Sequence, residues 1–377
     1  MSYIARNDRS VVGQWWQEVD LTQICLTLGL IILGLAIVFT GSAQEALQAG
    51  QSPLALFARK IAIALIGLTL LLGLSMLKPG QVEGLVFLGF AVALILLVSV
   101  FVIGVSKNGA TRWIAIPGLP FAPQPTEFAK PALILMIAWC LSQARVWGFG
   151  KAFLAASSSL AAVAGLVMMQ PDISQTLFLV ALFLGILFLG GLAVEWIFLL
   201  TGMAAGGLGL AYLTLDHVRR RIDGFVERTL GQDGNLRDHN DMAEDAFRNG
   251  GLWGLGIGEG RLKSSIPEAK NDMPLAIIGE EIGFVGGLTV SCLFLYLWFR
   301  TQSRLKDLPS DFQRLAAGGL AFALLAQALI NIFYTIGLIP TTGITLPFFS
   351  DGGSSLLATS ITVGLLLALT RRRGVMA

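Results

Sequence analysis

Residues 84–105 read GLVFLGFAVALILLVSVFVIGV, an unbroken apolar run without a charged side chain. A helix needs roughly 20 residues to cross about 30 Å of hydrocarbon, and this run supplies them. Comparable runs recur along the chain, and ten are predicted to span: 22–40, 61–78, 84–105, 129–144, 153–170, 174–193, 196–215, 275–299, 315–339 and 354–370. Each is far longer than a barrel strand, and lipid offers no water to an open backbone, so the spans are predicted to be helices. The 377 residues are 55% hydrophobic and 13% charged, against roughly 25% charged in soluble domains. The expected fold class is all-α: a polytopic membrane protein with about ten transmembrane helices, one large extracytoplasmic loop at about 216–273, and a single membrane domain over 1–377.

The first run follows a polar stretch and shows no small-residue cleavage pattern after it, so it is expected to stay as a span. Cys25, Cys140 and Cys292 fall inside predicted spans without metal-ligand spacing and are expected to pack. Orientation follows from the cations of the short loops. Arg6, Arg9, Lys78, Arg145, Lys151, Arg300, Arg304, Lys306, Arg314 and Arg371 to Arg373 share one side, which should be cytoplasmic, with both termini there. Glycines and small residues crowd 201–211 and 316–323, the pattern of close helix packing.

On the opposite side, polar residues gather in four places. Gln124 to Lys130 (QPTEFAK) puts Glu127 and Lys130 three apart, on one helix face, where they can pair. Gln170-Pro171-Asp172 is a tight connection in which Asp172 can cap the next helix. The loop 216–273 is rich in Arg, suited either to solvent or to forked phosphate contacts. Pro340 to Ser355 combines two prolines, a Gly pair and several hydroxyls, and is predicted to re-enter the last span with backbone N–H groups free for an anion.

Most of the expected chemistry converges on 250–286, GGLWGLGIGEGRLKSSIPEAKNDMPLAIIGEEIGFVG. Its order suggests an anion-tolerant glycine loop that delivers Asp272 to the membrane surface just ahead of Pro274, although Asp272 can equally be a helix cap. Glu280 and Glu281 follow inside a span. Neighbouring helix positions point about 100° apart, so at most one is expected to face the substrate cavity while the other meets a neighbouring helix or the interface.

Taken in order, GATRWI at Gly109 to Ile114, QPTEFAK, Gln170-Pro171-Asp172, Gly250 to Gly258, Pro267-Glu268-Ala269 with Asp272, Glu280 to Gly283, and Gly337 to Ser355 resemble the SEDS family of bacterial peptidoglycan polymerases. The likeness covers nearly the whole chain and leans to the division-type branch. It implies a glycosyltransferase that polymerises lipid II, with inversion and a lipid diphosphate leaving group, on the outer (periplasmic) face of the cytoplasmic membrane. The resemblance implies Asp272 as the essential catalytic residue, with Glu127, Lys130 and Arg112 as substrate-binding residues. Lys270, Ser350 and Ser354 are further substrate-binding candidates, and Asp172, Glu280 and Glu281 supporting ones. Implied partners are a class B penicillin-binding protein and other divisome proteins; no nucleic-acid partner or organic cofactor is expected. Departures from the family pattern are Lys270-Asn271 for His-Thr, Met273 for Phe, Asp351 for Tyr and Asp238-His239 for Tyr-Gln.

The reaction needs a base for a sugar hydroxyl and cations for the departing diphosphate. An ordinary Asp is a weak base at neutral pH; desolvation raises its pKa, and nearby cations and a helix N-terminus lower it. In the second case Asp272 orients the nucleophile or holds a divalent cation, Mg²⁺ or Mn²⁺, with Asp351 or Asp172 as partial co-ligand. His217 and His239 lack the partners of a transition-metal site. Two other readings stay open: a lipid II flippase or transporter, and a catalytically impaired scaffold.

Overall fold

The computed structural model describes residues 10–48, 52–107, 110–116, 121–229, 239–260, 273–340, 342–350 and 352–372. Asp272, Lys270, Arg261, Lys263 and Asp351 lie outside the described residues.

A short helix, α1 (Val11–Glu18), starts at Ser10, whose hydroxyl accepts from Gly13 N at 3.0 Å. Then come α2 (Leu21–Gln48), α3 (Pro53–Ser75), the short α4 (Pro79–Gly84) and α5 (Val86–Ile103). An antiparallel hairpin, β1 (Gly104–Lys107) and β2 (Ala110–Ile114), follows directly. The chain continues through α6 (Pro125–Ser142), α7 (Ala144–Trp147), α8 (Phe149–Met169), α9 (Ile173–Leu189), α10 (Val194–Thr214), α11 (Asp216–Thr229) and α12 (His239–Gly250). It closes with α13 (Pro274–Glu281), α14 (Gly283–Leu305), α15 (Asp311–Thr335) and α16 (Gly353–Leu369). Among the described residues, seven helices are long and apolar enough to cross a membrane, and α9 and α16 are shorter apolar helices.

Two helices form the centre. Helix α6 packs against α5, α8, α9, α15 and α16, and α15 has 78% of its apolar window buried. Gly318 and Gly319 bring α15 against Leu189, Ile134 and Ile186, as the small-residue pattern at 316–323 predicts. The companion expectation at 201–211 is corrected. Helix α10 has none of its window buried, and among the described residues nothing outside its own backbone would come within 4 Å of a Cβ at Gly202, Gly206, Gly207 or Gly209.

Two further corrections concern elements. The hairpin replaces a loop expected between the third and fourth spans, and the all-α class holds apart from it. The span predicted at 275–299 is broken at Ile282–Gly283, where Gly283 takes φ +81° and a Cβ would lie 2.4 Å from Gly254 N. Only glycine fits such an approach.

Charged groups from distant parts of the sequence meet at one end of the bundle. Asp20 pairs with Arg300 Nε and Arg304 Nη2, each at 2.9 Å. Glu18 accepts from Arg371 Nη2 at 2.7 Å, and Arg371 Nη1 donates to Met76 O at 2.9 Å. Arg145 reaches Asp311 at 3.1 Å. These are groups that the loop-cation pattern puts on one side.

Candidate functional site

The opposite end is built from β2, the start of α6 and the turn between α8 and α9. Arg112 projects from β2 onto that turn, its Nη2 donating to Pro171 O at 2.6 Å and its Nε to Gln170 O at 3.3 Å. Its Nη1 lies 3.2 Å from Asp172 Oδ2. Asp172 is also the N-cap of α9, accepting from Gln175 N at 3.3 Å, so it both caps and pairs. Burial raises the Asp172 pKa above its ordinary value, against the opposing pull of Arg112, the Gln175 N–H, Lys130 and Arg221.

One turn into α9, Gln175 carries the connection inward by donating from Nε2 to Glu127 Oε1 at 3.4 Å. The same oxygen accepts from Lys130 Nζ at 2.7 Å, and both partners are buried. Lys130 Nζ also stands 5.2 Å from the centroid of the Phe178 ring, within cation–π range. Pro125 at the first helical position and Gln124 at the N-cap begin α6 so that Glu127 and Lys130 fall in its opening turns. A continuous path of polar groups therefore joins Arg112, Asp172, Gln175, Glu127 and Lys130.

Three further polar atoms, Thr126 Oγ1, Gln170 Oε1 and Gln175 Oε1, are buried there without a hydrogen-bond partner among the described residues. Each such atom costs about 1–3 kcal/mol, which a bound polar group can offset. The arrangement offers a desolvated ammonium, an arginine fork and unused acceptors in one place, a combination suited to a polyanion that also carries hydroxyls.

Sequence reasoning joined Glu127 to Lys130 but missed Gln175 and Phe178; Arg221, one of the arginines at the entry of the large loop, donates to Ser174 Oγ at 3.0 Å. It also missed the hairpin, for which a signal existed: Asn108-Gly109 stands between the two strands. Asp272 lies outside the described residues, so its distance to Lys130 and Arg112 carries no argument. The N-cap of α13 is Met273, buried and one residue beyond Asp272.

The glycine loop does something other than expected. The backbone N–H groups of Leu255 and Gly256 donate to the carbonyls of Glu280 and Glu281 at 2.9 and 3.0 Å, so they are not available to an anion. A Cβ at Gly250 would lie 1.9 Å from Gly279 O. Close approach to α13 is what these glycines allow. The paired acids lie under this wrapping: Glu280 and Glu281 are both buried, each 1% exposed, because the loop covers the side of α13 that an isolated helix would leave open. Gly260 shows the fit, since a Cβ there would lie 2.6 Å from Glu280 Oε2.

From α15, Asn331 Nδ2 donates to Ile344 O at 2.8 Å in the segment beyond it, where Thr345 and Ser355 share a hydrogen bond of 2.8 Å. Ser350 accepts from Leu346 N at 2.9 Å, and Ser350 and Ser354 are both buried. Neither serine joins the polar path from Arg112 to Lys130.

Comparison with known proteins identifies the class. The family model described as "Cell cycle protein" (FtsW, RodA, SpoVE) matches residues 21–374, and the chain belongs to that family. It is 35% identical over 374 residues to the probable peptidoglycan glycosyltransferase FtsW of Caulobacter vibrioides, covering 98% of this chain and 93% of the relative. It is 33% identical to the protein of the same description from Trichlorobacter lovleyi, covering 94% and 93%. Among solved structures it is similar to a chain reported under "Structural coordination of polymerization and crosslinking by a peptidoglycan synthase complex", with TM-score 0.73, 28% identity and 93% and 97% coverage. It is also similar to the rod shape determining protein RodA of Thermus thermophilus, with TM-score 0.68, 27% identity and 94% and 97% coverage.

Proposed function

We propose that this chain is a peptidoglycan glycosyltransferase that polymerises lipid II into glycan strands for septal wall synthesis. The observation that carries the reading is the buried Glu127–Lys130 pair joined through Gln175 to Asp172 and Arg112, set in a chain of this family. Among the described residues, the buried carboxylate, ammonium and guanidinium side chains are Asp20 and Arg304 at one end and Glu127, Lys130, Asp172, Glu280 and Glu281 at the other. None stands midway, where a transport path needs polar groups.

In this reading the ten apolar runs cross the cytoplasmic membrane as one domain, seven of them as the long helices and the others as α6, α9 and α16. Both termini and the Asp20 cluster face the cytoplasm. The Arg112 end and the loop 216–273 face the periplasm. Asp272 takes the proton of the attacking sugar hydroxyl or holds that hydroxyl in line with the anomeric carbon. Lys130 and Arg112 meet the negative charge that grows on the departing diphosphate. Glu127 holds Lys130 in place, and Asp172 holds Arg112.

A divalent cation, Mg²⁺ or Mn²⁺, would add charge neutralisation at the diphosphate. Asp172 is a poor ligand for it, being held by Arg112 and the Gln175 N–H, and the described residues contain no cluster of three ligating side chains. Asp272 and Asp351 remain the donors to test, by chelation and re-addition of each ion. A class B penicillin-binding protein is the expected partner for crosslinking, with other divisome proteins around it.

Glycan formation from labelled lipid II by the purified protein, alone and with a penicillin-binding partner, tests the function. Asp272→Ala should lower the rate at least about 100-fold, the lower bound of a general-base contribution, at unchanged thermal stability. Movement of lipid II across vesicles without polymer would mean a transporter, and neither activity would mean a scaffold.

A further inference from the structure

Helix α9 opens with three polar side chains, Ser174, Gln175 and Thr176, before its apolar length begins. Two of them have partners: Ser174 Oγ accepts from Arg221 Nη1 at 3.0 Å, and Thr176 Oγ1 donates to Asp172 O at 2.8 Å. Gln175 is different. It is 2% exposed, its Nε2 is committed to Glu127 Oε1 at 3.4 Å, and its Oε1 is buried with no hydrogen-bond partner among the described residues. Turning the amide over gives no relief, because that would set Oε1 against the Glu127 carboxylate.

Gln170, at the end of α8, has the same polarity. Its Nε2 donates to Leu97 O at 3.3 Å, and its Oε1 is likewise buried without a partner among the described residues. Both amides spend their donors on fixed acceptors and keep an acceptor over, so the group that completes them must be a donor, an O–H or an N–H. The neighbouring cations are Lys130, whose Nζ pairs with Glu127 and stands by the Phe178 ring one turn beyond Gln175, and Arg112 on Asp172. The cluster reaches solvent at Arg112, whose side chain is 25% exposed. Cations of this kind take an anion, and the adjoining acceptors take hydroxyl or amide donors attached to it. A diphosphate that carries an amido sugar has both in one molecule.

We propose that Gln175 is a specificity-determining residue: Glu127 fixes its amide, and Oε1 accepts a hydrogen bond from an O–H or N–H of the sugar carried on the diphosphate. The inference rests on the proposed function, which supplies a sugar diphosphate as substrate. Glu127 already has the shorter bond from Lys130, at 2.7 Å, so holding Glu127 does not by itself account for a second buried amide there.

The test is equilibrium binding to the full-length protein in detergent, by native mass spectrometry, with undecaprenyl diphosphate N-acetylglucosamine and undecaprenyl diphosphate as probes. Wild type should bind the sugar-bearing lipid more tightly. Gln175→Met, which keeps the side-chain length and removes the acceptor, should weaken that lipid about tenfold, the upper scale of one neutral hydrogen bond, and leave the bare diphosphate within about twofold. Thermal unfolding checks that the variant folds, with Gln175→Leu as its replacement if it does not, and the wild-type comparison needs no variant. Equal losses for the two lipids would mean that Gln175 acts only by holding Glu127, and would overturn the proposal. Unchanged binding of the sugar-bearing lipid overturns it too, as does a wild type that binds the two lipids equally. Binding needs no turnover, so a wild type that forms no glycan yet shows the Gln175-dependent preference would refute the proposed function and leave this role standing. Glycan formation with an unchanged KM for lipid II in Gln175→Met would do the reverse.

Discussion

At the Asp20 end of the bundle, carboxylates are gripped by arginines that arrive from other helices: Arg300 and Arg304 hold Asp20 across about 280 positions of sequence, and Arg371 ties Glu18 to the carbonyl of Met76. At the Glu127 end Lys130 pairs within its own helix, while Arg112 reaches Asp172 from β2 and Gln175 reaches Glu127 from α9. Glu127 offers one oxygen to both Lys130 and Gln175, and buried acceptors on Gln170 and Gln175 remain without partners among the described residues. The first arrangement cross-links α1, α2, α14 and the C-terminal segment, as a latch does. Buried atoms without partners among the described residues stand at both ends, donors at the first (Arg304 Nε, Arg371 Nε) and acceptors at the second (Gln170 Oε1, Gln175 Oε1), so what sets the second apart is acceptor capacity for a ligand's hydroxyls beside a buried ammonium. Charge inside a membrane protein is thus no guide to function until one asks what its partners leave over.

The largest effect that would sharpen this contrast is expected from Lys130→Met. It strands Glu127 in a buried position and should cost about 3–5 kcal/mol in unfolding experiments. Adding Glu127→Gln should restore most of that stability but not glycan formation, whereas a merely structural pair would recover both. Asp20→Asn comes next. Arg304 is then buried without its carboxylate, and about 3 kcal/mol should be lost, less than at Lys130 because Arg300 can reach water. Activity per folded molecule should stay close to wild type.

The smallest effect is a pH dependence. Asp172 has its folded-state pKa raised by burial, so the folded protein takes up this proton more readily than the unfolded chain. Its ionised form subtracts from stability at neutral pH, and that loss is recovered as pH falls through the raised folded value toward the ordinary 3.8. Wild type should therefore gain stability relative to Asp172→Asn over that interval, as followed by thermal unfolding at stepped pH. A wild type that instead loses stability relative to Asp172→Asn on acidification would mean that the Arg112 pair outweighs burial.

Much of the fold could be read from the apolar runs, because a span must be long and uncharged whatever it packs against. The Glu127–Lys130 pair was legible for a local reason, the three-residue spacing on α6. Gln175 was not, since its contact with Glu127 depends on how α9 docks against α6, a fact no single stretch encodes. The break at Gly283 escaped for a related reason: one glycine in an apolar run looks like packing until the loop from Gly250 is seen to cover it. The glycines of α10 were misread the other way, since small residues permit close approach without requiring it.

The most direct test of the contrast between the two ends is the rate of glycan formation from lipid II, per folded molecule, for Lys130→Met and Asp20→Asn side by side under conditions where both remain folded. The account predicts a fall of at least about 100-fold for Lys130→Met, the scale of one lost electrostatic contact to the transition state, with Asp20→Asn within about twofold of wild type. Equal losses in the two variants, or a larger loss in Asp20→Asn, would contradict it.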